Sequence, residues 1–247
     1  MTTKYFRNFE NVRYRFGDNE SPVLFNNLTA YTDILDQLKD NVSLYNKYTI
    51  VSGERPDTLS YKLYGTTDFY WTFYILNDHI RLSGWPLPDF ELLDIAKSKY
   101  PHRTIVTNTN FANLFPIGQV VTGQQSNTSG AVIAKRPDFG QIIIETTDSF
   151  TVGESVQYRD NENNFQSVIV VADTLQYNSI HHYEDADGVY KDLTLFDFNN
   201  PGATLTPVTF RDRLETRNEE LKEIIVLRPT VVTQVVSEFN NLHKQRF

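Results

Sequence analysis

The chain of 247 residues contains no cysteine, only one methionine and no apolar run long enough to cross a bilayer. The absence of cysteine excludes disulfides, thiolate metal sites and cysteine nucleophiles. The opening residues, MTTKYFRNFENVRYRF, are mixed and charged, without the apolar core of a secretion signal. We therefore expect a protein that is made and used in soluble form and has no membrane partner.

Excess positive charge is also lacking. The formal net charge is −8, from 31 acidic and 23 basic residues, and no dense basic patch interrupts the balance. A surface of this kind does not attract nucleic-acid phosphates. We expect no nucleic-acid partner.

Signatures of catalysis and of metal or cofactor binding are absent too. No G-x-S-x-G motif occurs, and Gly123–Gly130 is not followed by the Gly-Lys-Ser/Thr of a phosphate-binding loop. Neighbouring residues of a strand point to opposite faces, so His181 and His182 should not share a metal. We predict a polar hairpin turn at Asp187-Gly188, and no catalytic residue, metal or cofactor. The dense group of possible ligands comprises His181, His182, Glu184, Asp185 and Asp187.

The segment 47–76 predicts a strand, a turn and two helices. Lys47–Ser52 contains a β-branched run, and Ser52-Gly53 ends it. Pro56 suits the first turn of a helix, and Gly65 suits the left-handed position that ends one. Leu59 and Leu63 should then share the inner face.

The second helix, at about Asp68–Leu76, is apolar around its whole circumference apart from Thr72. A surface helix has one apolar stripe, so this helix should be covered on more than one side. Two covers are possible, the remaining chain or another protein, since tyrosine and tryptophan are enriched at interfaces.

The rest of the chain predicts further small elements. A helix should run from Pro88 to Tyr100, and five glycines separate short β-rich runs between Phe115 and Ala172, which favours a small antiparallel barrel or sandwich. Ile224–Leu227 should be a strand. The mixed-charge run RDRLETRNEELKE is either a solvated face or a salt-bridged subunit contact. Beyond Pro229, one helix face should carry Val232, Val235, Val236, Phe239 and Leu242.

Three runs, GERPDTLSYKLYG, DFYWTFYILND and GWPLP, carry a family resemblance. The run from Tyr48 to Asp78 resembles one LysM module. With its extended Gly53–Leu59 motif, the chain resembles the LysM-containing baseplate wedge subunit of T-even-like contractile-tailed phages and their cyanophage relatives. The N-terminal arm and the segment NEELKEIIVLRPTVVTQVVSEF resemble the ends of that family.

The resemblance implies an α+β fold with a LysM-like module. We predict an N-terminal arm at 1–46, the module with an extra helix at 47–110, a small all-β inserted domain at 111–174 and a C-terminal hairpin, strand and helix at 175–247. A LysM module needs a second strand, and we expect it from Arg103–Thr107 or from Ile180–Tyr183. The insertion after the second helix alters the loops that flank the glycan groove of binding modules.

The resemblance also implies a structural function. The protein would clamp neighbouring wedge subunits during baseplate assembly, in six copies around the tail hub. It would be assembled in the host cytoplasm and located in the tail baseplate of the virion. There are two alternatives: a LysM protein that binds glycan (peptidoglycan), and a tail-associated cell-wall hydrolase. We do not expect peptidoglycan to be a partner. We predict no enzyme activity. The candidate interface residues are Tyr70, Trp71, Tyr74, Trp85, Phe6, Phe9 and Tyr14.

Overall fold

A computed structural model describes residues 11–15, 17, 21–26, 42–191 and 205–237. The helices are α1 (Pro56–Tyr64), α2 (Trp71–Leu76), α3 (Asp78–Ser83), α4 (Asp89–Lys99) and α5 (Phe210–Lys222). The strands are β1 (Asn11–Tyr14), β2 (Val23–Asn26), β3 (Tyr45–Thr49), β4 (Arg103–Val106), β5 (Val120–Gly123), β6 (Ser129–Arg136), β7 (Gln141–Ile144), β8 (Ser155–Arg159), β9 (Phe165–Ile169), β10 (Ala172–Leu175), β11 (Ile180–Glu184), β12 (Tyr190–Lys191), β13 (Thr206–Thr209) and β14 (Glu223–Leu227). Both helices and sheets are present, as an α+β fold requires.

The chain divides into two compact units. The first combines residues 1–88 with 218–247, and the second consists of residues 89–217. The first unit is therefore discontinuous in sequence.

The centre of the first unit is a two-stranded antiparallel sheet. β3 pairs with β14, and Tyr48 lies opposite Ile224 in the register. Both predicted partners of this strand are wrong. β4 pairs with β7 and β10, and β11 pairs with β12 and β13. The strand predicted at Ile224–Leu227 is confirmed, and it supplies the missing partner.

Helix α1 begins and ends where its sequence predicts. Pro56 occupies the first turn, where its missing N–H loses no helical partner. Gly65 follows the helix with a φ of 72°, and its N–H donates to the carbonyl of Tyr61. A side chain at this left-handed position would be strained. The helix turns Leu59 into the core and packs Leu63 against it.

Two asparagines join the distant parts of the first unit. Asn77 donates to the carbonyl of Ile225 and accepts from its N–H, both at 2.8 Å. Asn218 does the same for Leu87, at 3.0 and 2.8 Å. Each side-chain amide hydrogen-bonds both the N–H and the carbonyl of one residue. Each also joins the N-terminal segment of the unit to its C-terminal segment.

The second unit contains a seven-stranded antiparallel sheet with the order β10-β4-β7-β6-β5-β8-β9. The end strands β9 and β10 are nearly continuous in sequence. Val170 donates to the carbonyl of Glu154, and the next residue, Val171, donates to the carbonyl of Val106. The two edges of the sheet therefore meet, and the sheet closes into a barrel. This confirms the prediction of short antiparallel strands, although the barrel also recruits β4.

The barrel interior is filled by apolar side chains. The most deeply buried are Ile105, Phe115, Val121, Val132, Ile142, Ile144 and Val156. Arg103 and Asp173 form a bidentate ion pair between β4 and β10. The pair lies at the junction that closes the barrel.

Beside the barrel strands, the second unit holds a three-stranded sheet in the order β12-β11-β13. The predicted turn at Asp187-Gly188 is confirmed, and Gly188 has a φ of 74°. Arg136, at the end of β6, donates to the carbonyls of Ile180 and His181. Its guanidinium lies 4.3 Å from the ring centre of Phe139. Arg136 thus fastens β11 to the end of a barrel strand.

The terminal parts of the first unit are described only in places. β1 and β2 form an antiparallel pair. Residues 232–237 are helical, with Val232 buried and Val235 and Val236 packed beside it. This agrees with the predicted helix after Pro229, but Phe239 and Leu242 lie outside the described residues.

Candidate interaction surface

The aromatic helix α2 is covered mainly by its own unit. Phe73 is fully buried, and Trp71 retains 9% of its exposure. Tyr70 and Tyr74 are partly buried against the same core. Burial raises the pKa of the Tyr74 hydroxyl, and the neighbouring Tyr70 raises it further. Of the two predicted covers, the remaining chain accounts for the buried face, and the tyrosine edges reach the surface.

Trp85 packs against this helix and the core of the first unit. Its ring centre lies 6.0 Å from that of Phe73 and 5.8 Å from that of Tyr74. The indole Nε1 donates to the carbonyl of Glu54 at 2.6 Å. Trp85 therefore joins the loop that follows β3 to the segment that follows α3.

Glu54 organises that loop. Its carboxylate accepts hydrogen bonds from the Tyr48 hydroxyl at 2.9 Å and from the Lys62 ammonium at 3.1 Å. Lys62 also donates to the Tyr48 oxygen at 2.8 Å. The hydrogen bonds to Tyr48 and Glu54 raise the pKa of Lys62. Glu54 of the Gly-Glu-Arg-Pro loop is thus held by side chains of β3 and α1.

A groove of about 710 Å³ opens along the sheet of the first unit. Its lining includes Lys47, Asp78, His79 and Glu223. Asn77 lines it as well, and the carboxamide that holds Ile225 fixes this wall. The groove therefore combines opposite charges with exposed strand.

The N-terminal candidates are only partly described. Tyr14 is 57% exposed at the end of β1. Phe6 and Phe9 lie outside the described residues. In β2, Val23, Leu24 and Phe25 are all exposed, although a strand points them alternately to its two faces. The β1–β2 pair therefore presents apolar side chains on both faces.

The histidine pair differs from the prediction. Nδ1 of His181 lies 3.0 Å from Nδ1 of His182, so the rings meet instead of pointing apart. The β11–β13 register shifts between Ile180 and His182, which breaks the alternation of a regular strand. The prediction of opposite faces is wrong for this local reason.

The hydrogen-bond partners fix where the protons of this pair lie. Arg213 can only donate, and its Nη1 lies 3.1 Å from Nε2 of His181, so that nitrogen accepts. Burial, with smaller contributions from Arg213 and Arg136, lowers the pKa of His181 to about 4. The neutral ring donates through Nδ1 to His182, and His182 donates through Nε2 to Glu184 at 2.8 Å. The nitrogens are occupied within the protein.

Metal sites and membrane-crossing helices are both absent from the residues that the structure describes. Among them, no group of three or more histidine, aspartate or glutamate side chains is arranged to hold a metal ion. No helix in the same part of the chain has the length and apolarity that a membrane crossing requires.

The comparison with known families finds a match in the N-terminal part of the chain. Residues 5–103 match the family model of base plate wedge protein 53. The match spans fewer than half of the 247 residues and includes β1 to α4. No curated protein matches the chain. The wedge match supports a structural role in a phage tail baseplate, within the virion and in contact with other baseplate proteins.

Some of the residues that shape the first unit were not predicted from the sequence. Glu54 braces the first loop, and Asn77 and Asn218 join sequence-distant segments. The Glu54 position was visible in the Gly53–Leu59 motif, but its partners Tyr48 and Lys62 were not. No local pattern marks an asparagine that will pair with a distant main-chain residue.

Proposed function

We propose that the protein is a structural subunit of the baseplate wedge of a contractile, T-even-like phage tail, where it clamps neighbouring wedge subunits together. The observation that carries this proposal is the wedge-family match over residues 5–103. Six copies would surround the tail hub, and assembly would take place in the host cytoplasm. The protein would act by contact alone, without a cofactor.

A LysM-like module would form the body of the clamp. The order β3, α1, α2 and β14, with antiparallel outer strands, supports this assignment. The second unit would then be an insertion between the helices and the last strand. The small all-β domain at 111–174 would be its centre, the arm at 1–46 would precede the module, and the hairpin and helix at 175–247 would complete the chain.

Glycan binding is disfavoured by the contacts of Trp85. The glycan groove of binding LysM modules lies between the loops that flank the helices. Here the indole of Trp85 ties one of these loops to the segment after α3, through its 2.6 Å bond to Glu54. A sugar would have to displace this bond and the ring contacts with Phe73 and Tyr74. A protein partner would instead bind the exposed edges of Tyr74 and Trp85.

The candidate anchors differ in their roles. We propose that Tyr14, Tyr70, Tyr74 and Trp85 contact partner proteins, since each keeps exposed surface. Phe6 and Phe9 remain predicted anchors of the arm. We propose that Trp71 supports them from within, because it is buried.

Sedimentation velocity of the purified chain, alone and mixed with the other wedge proteins of the same phage, tests the proposal. We expect a defined larger complex in the mixture and no pelleting with peptidoglycan in the same buffer. A chain that pellets with peptidoglycan and ignores the wedge proteins would establish glycan binding instead. Release of labelled peptidoglycan by the chain would indicate a hydrolase.

Paired variants test the anchors. We expect Tyr14→Ala to weaken the complex, because aromatic anchors contribute much of the energy of an interface. Tyr61→Ala is the matched control, since Tyr61 is an exposed tyrosine outside the proposed anchors. Trp71→Ala should lower the melting temperature of the isolated chain, as expected for a core residue. Unchanged melting with lost assembly would make Trp71 an anchor after all.

A further inference from the structure

The two outer edges of the β3–β14 sheet differ in how their main-chain groups are hydrogen-bonded. In an antiparallel pair, the main-chain N–H and carbonyl groups of alternate residues point toward the partner strand and away from it. Ile50 donates to the carbonyl of Lys222, and Arg228 donates to the carbonyl of Leu44, so the even-numbered residues of β3 face β14. The main-chain groups of Lys47 and Thr49 consequently face outward.

Side chains cover the outer edge of β14. The carboxamide of Asn77 accepts a hydrogen bond from the N–H of Ile225 and donates one to its carbonyl. The hydroxyl of Tyr64 donates to the carbonyl of Leu227 at 3.1 Å. Burial raises the pKa of Tyr64, which keeps this donor protonated. The edge of β14 therefore cannot accept another strand at these positions.

The edge of β3 is open within the described part of the chain. Lys47 and Thr49 are exposed, and no hydrogen bond joins their outward main-chain groups to another described residue. Val51 ends the open stretch, because its N–H donates to Glu54. Exposed edges of this kind pair readily with a further strand.

We propose that an extended segment of another wedge protein adds to β3 as a third strand, with a carboxylate facing Lys47. This inference rests on the proposed function and names the contact through which the partner binds. Lys47 makes no ion pair with any described residue and lines the groove of about 710 Å³. An acidic side chain of the incoming strand would pair with it across the sheet.

A second copy of this chain fits the edge poorly. Antiparallel pairing of two β3 strands sets the two Lys47 side chains directly opposite or on a diagonal of one face. Like charges at such positions oppose pairing. The same lysine keeps the isolated edge solvated, as charged side chains do on natural edge strands. Lys47 therefore discourages self-association and favours an acidic partner.

Amide hydrogen exchange measured by NMR tests the inference on the wild-type chain. We expect the amides of Lys47 and Thr49 to exchange fast in the isolated chain and at least about tenfold more slowly in the wedge complex. The amides of Asn46 and Tyr48, which face β14, serve as internal controls because they are protected in both states.

Each other outcome overturns the inference. Fast exchange at Lys47 and Thr49 within a complex that does form would exclude strand addition and leave the proposed function intact. Absence of any complex would remove the proposed function itself. Protection in the isolated monomer would assign the edge to another segment of this chain, and protection that depends on chain concentration would assign it to a second copy.

Substitutions at Lys47 separate the backbone from the charge. Lys47→Pro removes the outward N–H and should weaken the complex at least about tenfold, because proline blocks strand addition at an edge. Lys47→Ala keeps the N–H and removes the charge, so it should weaken the complex less than Lys47→Pro does. Equal affinity for Lys47→Pro and wild type, with unchanged melting, would contradict the inference.

Discussion

At the scale of single residues, Glu154 shows how a carboxylate can be buried without a cation. The residue has no exposed surface. It accepts from the N–H groups of Gln125, Ser126 and Thr151 at 2.8, 3.0 and 2.6 Å, and from the Ser126 hydroxyl at 2.8 Å. Burial raises its pKa, but these donors together outweigh burial and leave the pKa below its ordinary value. The carboxylate thus holds the turn that follows β5.

We predict that Glu154→Gln lowers the free energy of unfolding by about 2 kcal/mol, since the amide turns a donor toward N–H groups that need an acceptor. The loss should be full above pH 4.5, the ordinary pKa, and shrink as the pH falls through the lower folded pKa. Denaturant unfolding at several pH values measures it. Glu145→Gln, at an exposed site, is the control. A pH-independent difference would show that ionisation is not the cause.

His181 provides a second residue-scale prediction. Its ring should stay neutral down to a pH of about 4, with the proton on Nδ1. Stability from this group is then present above 6.5, the ordinary pKa, and decreases as the pH falls toward 4. Nitrogen-15 NMR of the imidazoles reads both the tautomer and the titration. Arg213→Gln should raise the pKa of His181 only part of the way toward its ordinary value, because burial is the larger cause. Titration of His181 at its ordinary pKa in the wild type would contradict the neutral, hydrogen-bonded histidine pair.

At the scale of elements, a close backbone contact requires glycine at position 130 of the barrel. A Cβ on Gly130 would lie 2.5 Å from the carbonyl oxygen of Glu145 and 2.8 Å from a methyl of Ile144. Gly130 belongs to β6, and Glu145 directly follows β7. The glycine is therefore required by the close approach of two chain segments.

We predict that Gly130→Ala destabilises the protein by about 2 kcal/mol, because the backbone must shift to admit the methyl group. Ser129→Ala, at the exposed neighbouring position, is the matched control. Thermal and denaturant unfolding of both variants measure the effect. If the two substitutions cost the same, the close approach does not constrain the barrel.

Elements with short-range signals are those that the sequence predicts well. Helix α1 begins at Pro56 and ends before Gly65, and the hairpin turns at Asp187-Gly188, as predicted. Both features depend only on the conformational preferences of residues that are neighbours in sequence. The partner of β3 could not be read in this way, since the many residues between β3 and β14 carry no pairing code. Likewise, the contact of His181 with His182 arises from a register shift that the alternation of a strand does not foretell. The aromatic composition of α2 predicts a covered helix, yet only packing shows which rings keep exposed edges.

At the scale of the whole molecule, the first unit depends on segments from both ends of the chain. Asn77 contributes from the wedge-matched part and holds Ile225, which lies outside the match. The matched residues alone therefore lack the strand that completes their sheet.

We predict that Asn77→Ala lowers the free energy of unfolding by about 2 kcal/mol, because two main-chain groups of Ile225 lose their partners. Asn77→Asp should also destabilise, since a carboxylate accepts from the N–H but cannot donate to the carbonyl. Asn161→Ala, at an exposed turn, is the control. Denaturant unfolding that leaves Asn77→Ala as stable as this control would show that the amide does not join the two segments.

Electron microscopy of particles from a phage that lacks this chain tests the clamp most directly. We expect separate wedges that fail to close, and closed baseplates once the purified chain is added. Normal baseplates without the chain, or wedges that stay separate after it is added, would contradict the account.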